Sequence, residues 1–267
     1  MLALNPEVVN TWNDETIRAY EKALFMAYKA SHKVNYHFCK TGNIKLGNMW
    51  TFSKTYSDNC FYVKEFGGYV QGTCKGYCDG CRNACYVKAS YRYGSVIKGH
   101  AINTCGLRFE MSEVFKALNN QLKRARKKPD VIRYDQSGEL MNLAEFKELE
   151  SMSLNNPEVV TYVYTKAYDI VIPELLAGNV PENLVVLISI WHEFGIREFF
   201  TVSHLPNVKA FVYDDHTFNY AAYGIVKQTE CKAYDESGHL DHNITCDKCK
   251  KCFNKLECHK IIFCNAH

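Results

Sequence analysis

The second half of the chain alternates between short apolar segments and longer amphipathic ones. The apolar segments are rich in Val, Ile and Tyr, residues that favour β-strands. They predict four strands, at residues 131–134, 159–164, 184–190 and 208–213. Since helical patterns separate them, the alternation favours a parallel sheet covered by helices, an α/β fold.

Apolar positions spaced three and four residues apart predict the helices. One helix is expected at 16–29, and another starts near Ser112 with Val114, Leu118 and Leu122 on one face. Asn142 and Glu145 have the spacing of a capping box at the start of a third. Three further helices are expected near 169–177, 193–200 and 218–226.

The number of strands limits the architecture. Four clear strands, with one or two earlier ones such as 49–53, are too few for a complete eight-stranded barrel. We therefore expect a partial (β/α) barrel with parallel strands plus a cysteine-rich C-terminal metal-binding extension. The expected divisions are a mixed N-terminal segment at 1–70, the partial barrel at 71–230 and the extension at 231–267.

Composition narrows the class of protein. The chain has 267 residues and 13 cysteines, an odd number that argues against a secreted disulfide scaffold. The N-terminal residues lack a signal-peptide pattern, and the longest apolar run, 184–191, is too short to span a membrane. We expect a cytoplasmic protein without a membrane partner. The net charge of +3 and the basic run at 123–128 support nucleic-acid binding only weakly, since such a run is typical of a solvated helix end.

Four cysteines at close spacing form what we call the first cysteine group: Cys74, Cys78, Cys81 and Cys85. Soft thiolate ligands select iron–sulfur clusters or zinc. The Cys-x3-Cys-x2-Cys spacing of the first three predicts a [4Fe–4S] cluster with three protein ligands, whose fourth iron is open to S-adenosylmethionine. The alternative is a zinc site that uses all four sulfurs.

The chain resembles the radical S-adenosylmethionine superfamily over residues 45–230. The resemblance rests on the cysteine loop, a following helix, and a strand that ends in Ser137-Gly138-Glu139, where the superfamily has a Gly-Gly-Glu-type motif. It implies that these three residues hold the methionine amino group and that the reaction begins with reductive cleavage of S-adenosylmethionine. It also implies an electron donor such as flavodoxin or ferredoxin, and it names no substrate.

The chain is also similar to radical-SAM-like iron–sulfur proteins of phages and mobile elements. The shared features are the Gly-Asn-x-Lys-Leu-Gly segment at 42–47 and the Cys-x3-Cys-Tyr element at 81–86. That similarity implies Cys74, Cys81 and Cys85 as the ligands. The superfamily usually has an aromatic residue before the last loop cysteine, where this chain has Gly80. Four cysteine ligands would close the cluster, so a non-catalytic iron–sulfur or zinc protein that binds nucleic acid or protein is the alternative function.

A second cysteine group lies near the end of the sequence: Cys231, Cys246, Cys249 and Cys252. The Cys-x2-Cys-x2-Cys spacing matches the triple of ferredoxin-type [4Fe–4S] loops, whose fourth ligand comes from elsewhere. Cys231 is our choice for that ligand, and auxiliary clusters in C-terminal extensions are common in the superfamily. The alternative is zinc bound by cysteine and histidine, for which the further candidate ligands are His239, His242, Cys258, His259 and Cys264.

The remaining candidates are weaker. Thr165-Lys166 and Asp214-Asp215 lie at strand ends, where α/β sheets bind ligands, and solvated loop residues are the equal alternative. Cys39, Cys60 and Cys105 have no cysteine at ligand spacing and are expected to be buried thiols.

Overall fold

The computed structural model describes residues 6–40, 44–76, 78–232, 244–254 and 259–265. Two compact units result. The first comprises the described residues of Met1–Phe38, Ser53–Arg124 and Ser137–Met141. The second comprises those of Cys39–Phe52, Ala125–Gln136 and Asn142–His267. The predicted divisions at 70 and 230 stay a prediction.

The strands, in chain order, are β1 (Trp50–Thr51), β2 (Cys60–Val63), β3 (Gly68–Gln71), β4 (Val131–Tyr134), β5 (Val160–Thr165), β6 (Leu184–Ile190), β7 (Val208–Asp214), β8 (Thr229–Glu230) and β9 (Ile261–Asn265). The helices are α1 (Pro6–Val9), α2 (Asp14–Ser31), α3 (Asp79–Ala84), α4 (Val87–Ser90), α5 (Gly94–Phe109), α6 (Met111–Arg124), α7 (Leu143–Leu154), α8 (Tyr168–Leu176), α9 (Ile196–Val202) and α10 (Cys246–Cys249). Short 3₁₀ turns occur at Ile44–Leu46 and Tyr220–Tyr223.

A seven-stranded sheet forms the second unit, in the order β1-β4-β5-β6-β7-β9-β8. All neighbouring strands in it are parallel. In β6, six of the seven residues are buried, because helices cover a parallel sheet on both faces. The predicted α/β class is therefore confirmed, and each of the four predicted strands is present.

Two local features differ from the expectations. The helix predicted near 218–226 is wrong: Asn219 caps only a short 3₁₀ turn, and Gly224, at φ +76°, ends it in a left-handed conformation. The tail also contributes more to the core than its composition predicts. Within it, β9 inserts between β7 and β8, and Phe253 and Ile262 pack with Val185 in the apolar core of the sheet.

The first unit packs α2 and α5 against the antiparallel hairpin formed by β2 and β3. Phe25, Tyr28, Val63 and Phe66 form its apolar core together with Cys105. None of the described helices combines the length and the apolar character that crossing a membrane requires.

No disulfide joins any of the described cysteines. Cys60 and Cys105 are buried, as predicted, whereas the prediction for Cys39 is wrong because its side chain lies at the surface. Backbone bonds from Cys39 to Thr51 continue the edge of the sheet there and leave the thiol outside the core.

Candidate functional site

The strand β3 leads directly into the first cysteine group. Beyond its end, the amides of Gly72, Thr73 and Cys74 donate hydrogen bonds of 2.9 Å to carbonyl oxygens within residues 55–59. The acceptor for Cys74 is the carbonyl of Ser57. These bonds fix the backbone of Cys74, although the residue lies outside any regular strand.

A buried ion pair supports the same segment. The Arg108 guanidinium lies 2.7 Å from a carboxylate oxygen of Glu21, and both side chains are almost fully buried. Its other terminal nitrogen donates to the carbonyl of Gly72 at 3.0 Å. A side chain at Gly72 would overlap the carbonyl oxygens of Tyr56 and Ser57, so only glycine fits this approach.

The other three cysteines of the group lie within or next to one short helix, α3. Cys78 precedes α3, Cys81 lies within it, and Cys85 follows its last residue. The sulfurs of Cys78 and Cys81 are 3.5 Å apart. The helix therefore places Cys78 and Cys81 one turn apart on the same side.

Electrostatic effects show that Cys74 lies near two of these thiols. Burial raises the pKa of Cys74 well above its usual range, and Glu139, Cys85 and Cys81 raise it further. Burial also raises the pKa of Cys85, to which Cys81 adds. The thiols of Cys74, Cys81 and Cys85 therefore lie in one region of the first unit, with Cys78 beside Cys81.

Glu139 reaches this region through Thr73. The amide of Glu139 donates to the Thr73 hydroxyl oxygen at 2.8 Å, and that hydroxyl donates in turn to the carbonyl of Thr55 at 3.2 Å. Glu139 is 7% exposed, and its carboxylate accepts a hydrogen bond from the amide of Leu140. Because Thr73 immediately precedes Cys74, one hydroxyl ties the carboxylate-bearing turn to the cysteine loop.

The turn itself is fixed by Lys54. The amide of Lys54 donates to the carbonyl of Ser137, and the Ser137 hydroxyl donates to the carbonyl of Lys54, both at 2.8 Å. Gly138 has φ +87°, and a Cβ there would lie 2.7 Å from both the Lys54 Cβ and the Thr73 hydroxyl oxygen. The structure therefore brings the Ser137–Glu139 turn next to Thr73, the residue before Cys74, while its role in binding a ligand stays a prediction.

The second cysteine group lines one cavity in the second unit. The wall of the cavity contains Cys231, Cys246, Cys249 and Cys252 with Phe253 and Ile262. Cys231 follows β8, and its amide donates to the carbonyl of Phe263 in β9. Cys231 and the Cys-x2-Cys-x2-Cys triple thus line the same cavity, while the role of Cys231 as a ligand stays a prediction.

Charged and aromatic side chains influence the pKa values of these thiols. Burial raises the pKa of Cys246, whereas the nearby charges of Arg133 and Lys45 lower it. Burial raises the pKa of Cys252 to about 12, against a hydrogen bond from the Tyr164 hydroxyl. Arg133 also stacks over the Tyr164 ring at 4.6 Å. Cationic side chains beside thiolates offset the negative charge that a metal–thiolate site carries.

The described part of the 42–47 segment lies beside this second group. The amide of Asn48 donates to the carboxylate of Asp247 in α10 at 3.1 Å. Gly47, at φ +67°, leaves room for that carboxylate, because a Cβ would overlap it. Residues 42 and 43 of the segment lie outside the described residues. A helix-borne carboxylate therefore anchors the cysteine triple to residues 47–48.

Cys264 is a further thiol at the same place. A hydrogen bond with Cys231, together with burial, raises its pKa far above the usual range. Of the other candidates for a zinc site, His239, His242 and Cys258 fall outside the described residues, and His259 is half-buried. Among the residues that the structure describes, no three His, Cys, Asp or Glu side chains form a group that could hold one metal ion. The cluster and zinc assignments stay predictions.

Some of the weaker candidates are buried and have a structural role, and others lie at the surface. The Thr165 hydroxyl accepts a hydrogen bond from the amide of Ala167 at 2.9 Å and is fully buried, so it shapes the turn after β5. In the basic run, Lys128 pairs with Glu158 at the surface. Asp215, in contrast, contacts His192, which lies just beyond the end of the neighbouring strand β6.

Comparison with known proteins gives a family and no function. No curated protein and no solved structure matches the chain. The family model described as Gene product 88 matches residues 23–255, a span that contains both cysteine groups and the Ser137–Glu139 turn. The chain therefore belongs to the Gene product 88 family.

Proposed function

We propose that this protein is a radical S-adenosylmethionine-like iron–sulfur protein that carries two [4Fe–4S] clusters, one in each cysteine group. In this proposal it cleaves S-adenosylmethionine reductively to start radical chemistry on a further substrate. The observation that carries the proposal is the link through Thr73, which holds Glu139 beside Cys74 although 66 residues separate Glu139 from Thr73. Thiol ligands and an amino-group acceptor are the two elements that such a site needs side by side.

The residues of both groups fit iron–sulfur clusters by their donor chemistry. Each group supplies soft sulfur ligands, which iron–sulfur clusters prefer. In the second group the four sulfurs line the wall of one cavity, which suits a cofactor with one cysteine on each iron. In the first group, Cys74, Cys78 and Cys81 would hold the cluster.

When bound and reduced, such a cluster supplies the electron that breaks a carbon–sulfur bond of S-adenosylmethionine. The role of the protein residues is to bind and orient the cofactor. The Glu139 carboxylate would accept a charge-assisted hydrogen bond from the ammonium of its methionine part. Because Gly138 has no side chain, the backbone of Lys54 and the Thr73 hydroxyl can hold this turn against the cysteine loop.

The finer architecture and the partners are also part of the proposal. The parallel sheet and its covering helices support a partial (β/α) barrel, with residues 231–267 as a cysteine-rich C-terminal metal-binding extension. A cytoplasmic electron donor such as flavodoxin or ferredoxin would reduce the clusters. The substrate stays unassigned.

One observation favours the second candidate function. The charges of Cys85 and Cys81 both raise the pKa of Cys74, and that of Cys81 raises the pKa of Cys85, which supports Cys85 as a candidate fourth ligand. A closed site would serve as an electron relay or as a structural iron–sulfur or zinc centre of a protein that binds nucleic acid or another protein.

The test of catalysis uses anaerobically reconstituted protein with dithionite and S-adenosylmethionine. We expect about eight irons per chain for two cubic clusters and formation of 5′-deoxyadenosine and methionine. Glu139→Gln keeps an acceptor for the Leu140 amide but removes the charge, so cofactor binding should weaken by about 1.5–3 kcal/mol at unchanged iron content. Glu113→Ala, on the exposed face of α6, is the control. Fully loaded protein that neither binds S-adenosylmethionine nor produces 5′-deoxyadenosine would refute the catalytic function.

A pair of serine variants separates the two candidates for the first site. If Cys74, Cys78 and Cys81 are the ligands, Cys85→Ser retains the first cluster and Cys78→Ser loses it. The reverse result would identify Cys74, Cys81 and Cys85 as the ligands. Loss of the cluster in both variants, without 5′-deoxyadenosine formation by the parent, would favour the closed site. Electron paramagnetic resonance of the reduced proteins distinguishes these outcomes.

A further inference from the structure

A set of reactive side chains that belongs to neither cysteine group lies at the carboxyl end of β6. Trp191 and Phe194 form a tight turn there, in which each donates an amide hydrogen bond to the carbonyl of the other, at 3.2 and 3.0 Å. His192 lies in this turn with φ +49°, a left-handed conformation that is uncommon outside glycine. Such conformations persist where surrounding contacts enforce them, and they concentrate at functional sites.

Those contacts are visible around His192. The Tyr220 hydroxyl accepts a hydrogen bond from the His192 amide at 3.0 Å and donates to the carbonyl of Tyr213 at 2.8 Å. The rings of Trp191 and Phe218 stack on His192, with centroids at 4.7 and 5.2 Å. The imidazole is therefore held in one orientation, yet its side chain is 29% exposed.

Asp215, just beyond the end of β7, determines which imidazole nitrogen is protonated. The Nε2 atom of His192 lies 3.2 and 3.3 Å from the two carboxylate oxygens of Asp215. Thr217 donates to the same carboxylate through its hydroxyl at 2.7 Å and its amide at 3.0 Å. Burial alone would raise the pKa of Asp215, but the hydrogen bonds from Thr217 and His192 outweigh it and hold the pKa low.

An ionised Asp215 favours the tautomer with hydrogen on Nε2, which leaves a lone pair on Nδ1. Among the described residues, no hydrogen bond reaches that Nδ1 atom. A carboxylate that accepts from one imidazole nitrogen fixes the tautomer and the orientation of the ring. Nδ1 is thus oriented as a proton acceptor.

The charged groups near His192 favour a cationic ligand over an anionic one. Burial raises the pKa of Tyr220 to about 12, and the carboxylates of Asp214, Asp215 and Glu193 contribute to the increase. The same carboxylates disfavour an anionic ligand at this strand end. The neighbouring histidine, His216, is paired with Asp214. Aromatic faces beside carboxylates attract organic cations; Tyr223, which stacks on Phe218, is half exposed.

We propose that this strand end is a second ligand site, in which an organic cation binds and His192 accepts a proton from its N–H or O–H group. The bond to hydrogen in the ligand breaks and leaves its electron pair on the nitrogen or oxygen, while the proton bonds to Nδ1. The ligand loses one positive charge and the imidazole gains it. The Nε2–H bond to Asp215 is retained throughout, so Asp215 is a positioning residue. This inference does not depend on the function of either cysteine group.

The role of Asp215 in presenting Nδ1 is tested by carbethoxylation with diethyl pyrocarbonate, which reacts with unprotonated imidazole nitrogen. The full-length, reconstituted protein is treated briefly at about pH 8, above the ordinary imidazole pKa of about 6.5, so that the unprotonated form predominates in every variant. The reaction rates of His192 and His216 are measured by peptide mass spectrometry. Asp215→Asn should slow His192 by about three- to tenfold and leave His216 unchanged. Asp214→Asn, the matched control, should leave His192 unchanged. An equal rate at His192 in wild type and Asp215→Asn would overturn the proposal.

Ligand class is tested in the same assay with benzyltrimethylammonium, a cation that cannot itself be acylated, and with benzoate as the anion of similar size. We expect the cation to protect His192 and benzoate to have no effect. Equal protection by both, or protection by neither, would refute the cation site. If circular dichroism shows that Asp215→Asn does not fold, Thr217→Val is used instead. It removes one of the hydrogen bonds that hold the Asp215 carboxylate in place, so the carbethoxylation of His192 should again be slower. An unchanged rate in that variant would count against the proposal.

Discussion

The two cysteine groups are positioned by different kinds of interaction. Polar contacts hold the first: the Arg108–Glu21 ion pair, the Thr73 hydroxyl and carbonyl oxygens of residues 55–59 fix the backbone around Cys74. Apolar packing surrounds the second, where Phe253 and Ile262 lie in the same core as the inner strands. The same chemical element, a set of nearby thiols, is therefore built on two different supports.

This difference bears on what each group is able to do. A hydrogen-bonded loop holds a cysteine beside a carboxylate at a defined position, and the carboxylate can serve a polar ligand. A cavity with apolar walls excludes water and stabilises whatever fills it, but it offers few groups that recognise a substrate. This difference fits the proposed function, in which the first group binds the reacting cofactor and the second has a structural or electron-transfer role.

The largest expected effect follows from removing the polar support of the first group. Arg108→Met leaves the Glu21 carboxylate buried without its main partner, although Arg18 still contacts it at 3.1 Å. We expect a loss of about 3 kcal/mol in the free energy of unfolding, since breaking one side of a buried ion pair costs about 3–5 kcal/mol. Urea denaturation measures this change, and iron analysis should show loss of the first cluster with the second retained.

Arg197→Met is the matched control for that variant. Arg197 also contacts a glutamate, Glu198, but its side chain is 91% exposed. Exposed ion pairs contribute about 0–1 kcal/mol, so stability and iron content should hardly change. Equal effects in the two variants would show that the polar support has no special importance.

A smaller effect is expected from the second group. Cys252→Ser replaces a thiol beside the Tyr164 hydroxyl, a proposed cluster ligand, by a hard oxygen. If a metal cluster contributes to folding there, the variant should lose about half of the iron and become protease-sensitive in the tail, with the first cluster intact. Cys39→Ser, at the exposed thiol, is the control. Full iron content in Cys252→Ser would exclude a cluster in the second group.

The smallest effect is expected at the turn that carries Glu139. Gly138→Ala places a methyl group against Lys54 and Thr73 at φ +87°, which should cost about 1–3 kcal/mol. It should also weaken S-adenosylmethionine binding while the iron content stays unchanged. Gly178→Ala, at φ +70° with open space around it, isolates the backbone strain. If both variants bind the cofactor equally well, the contact between the turn and Thr73 is not needed for binding.

Local pattern was sufficient for the strands of the sheet. The strands β4 and β6 begin and end at the predicted residues, because each is a short apolar run between clear turn residues. The strand that the sequence pattern did not predict lies in a region with few apolar residues. The strand β9 is Ile261–Asn265, a brief segment within a tail dominated by cysteine and charge, and its partners are far away in sequence.

Spacing identified the cysteines but not what surrounds them. Cys231 was placed with the triple because thiols of one cluster must converge, whereas Tyr164 and Arg133 were missed because each looks like an ordinary strand residue. The hydrogen bond between Thr73 and Glu139 depends on the tertiary fold, and no local periodicity encodes it. His192 gave no signal either, since its partner Asp215 lies on another strand end.

The place of β9 in the sheet has a consequence for the order of events during synthesis. In the described sheet β8 pairs with β9, which is made 31 residues later, and the amide of Cys231 bonds to the carbonyl of Phe263 in that strand. When Cys231 leaves the ribosome, its neighbouring strand does not yet exist, so β8 has nothing to pair with. Non-local pairing of this kind forms late. The second cysteine group should therefore be assembled after the first, and any metal that it takes should enter an otherwise nearly finished domain.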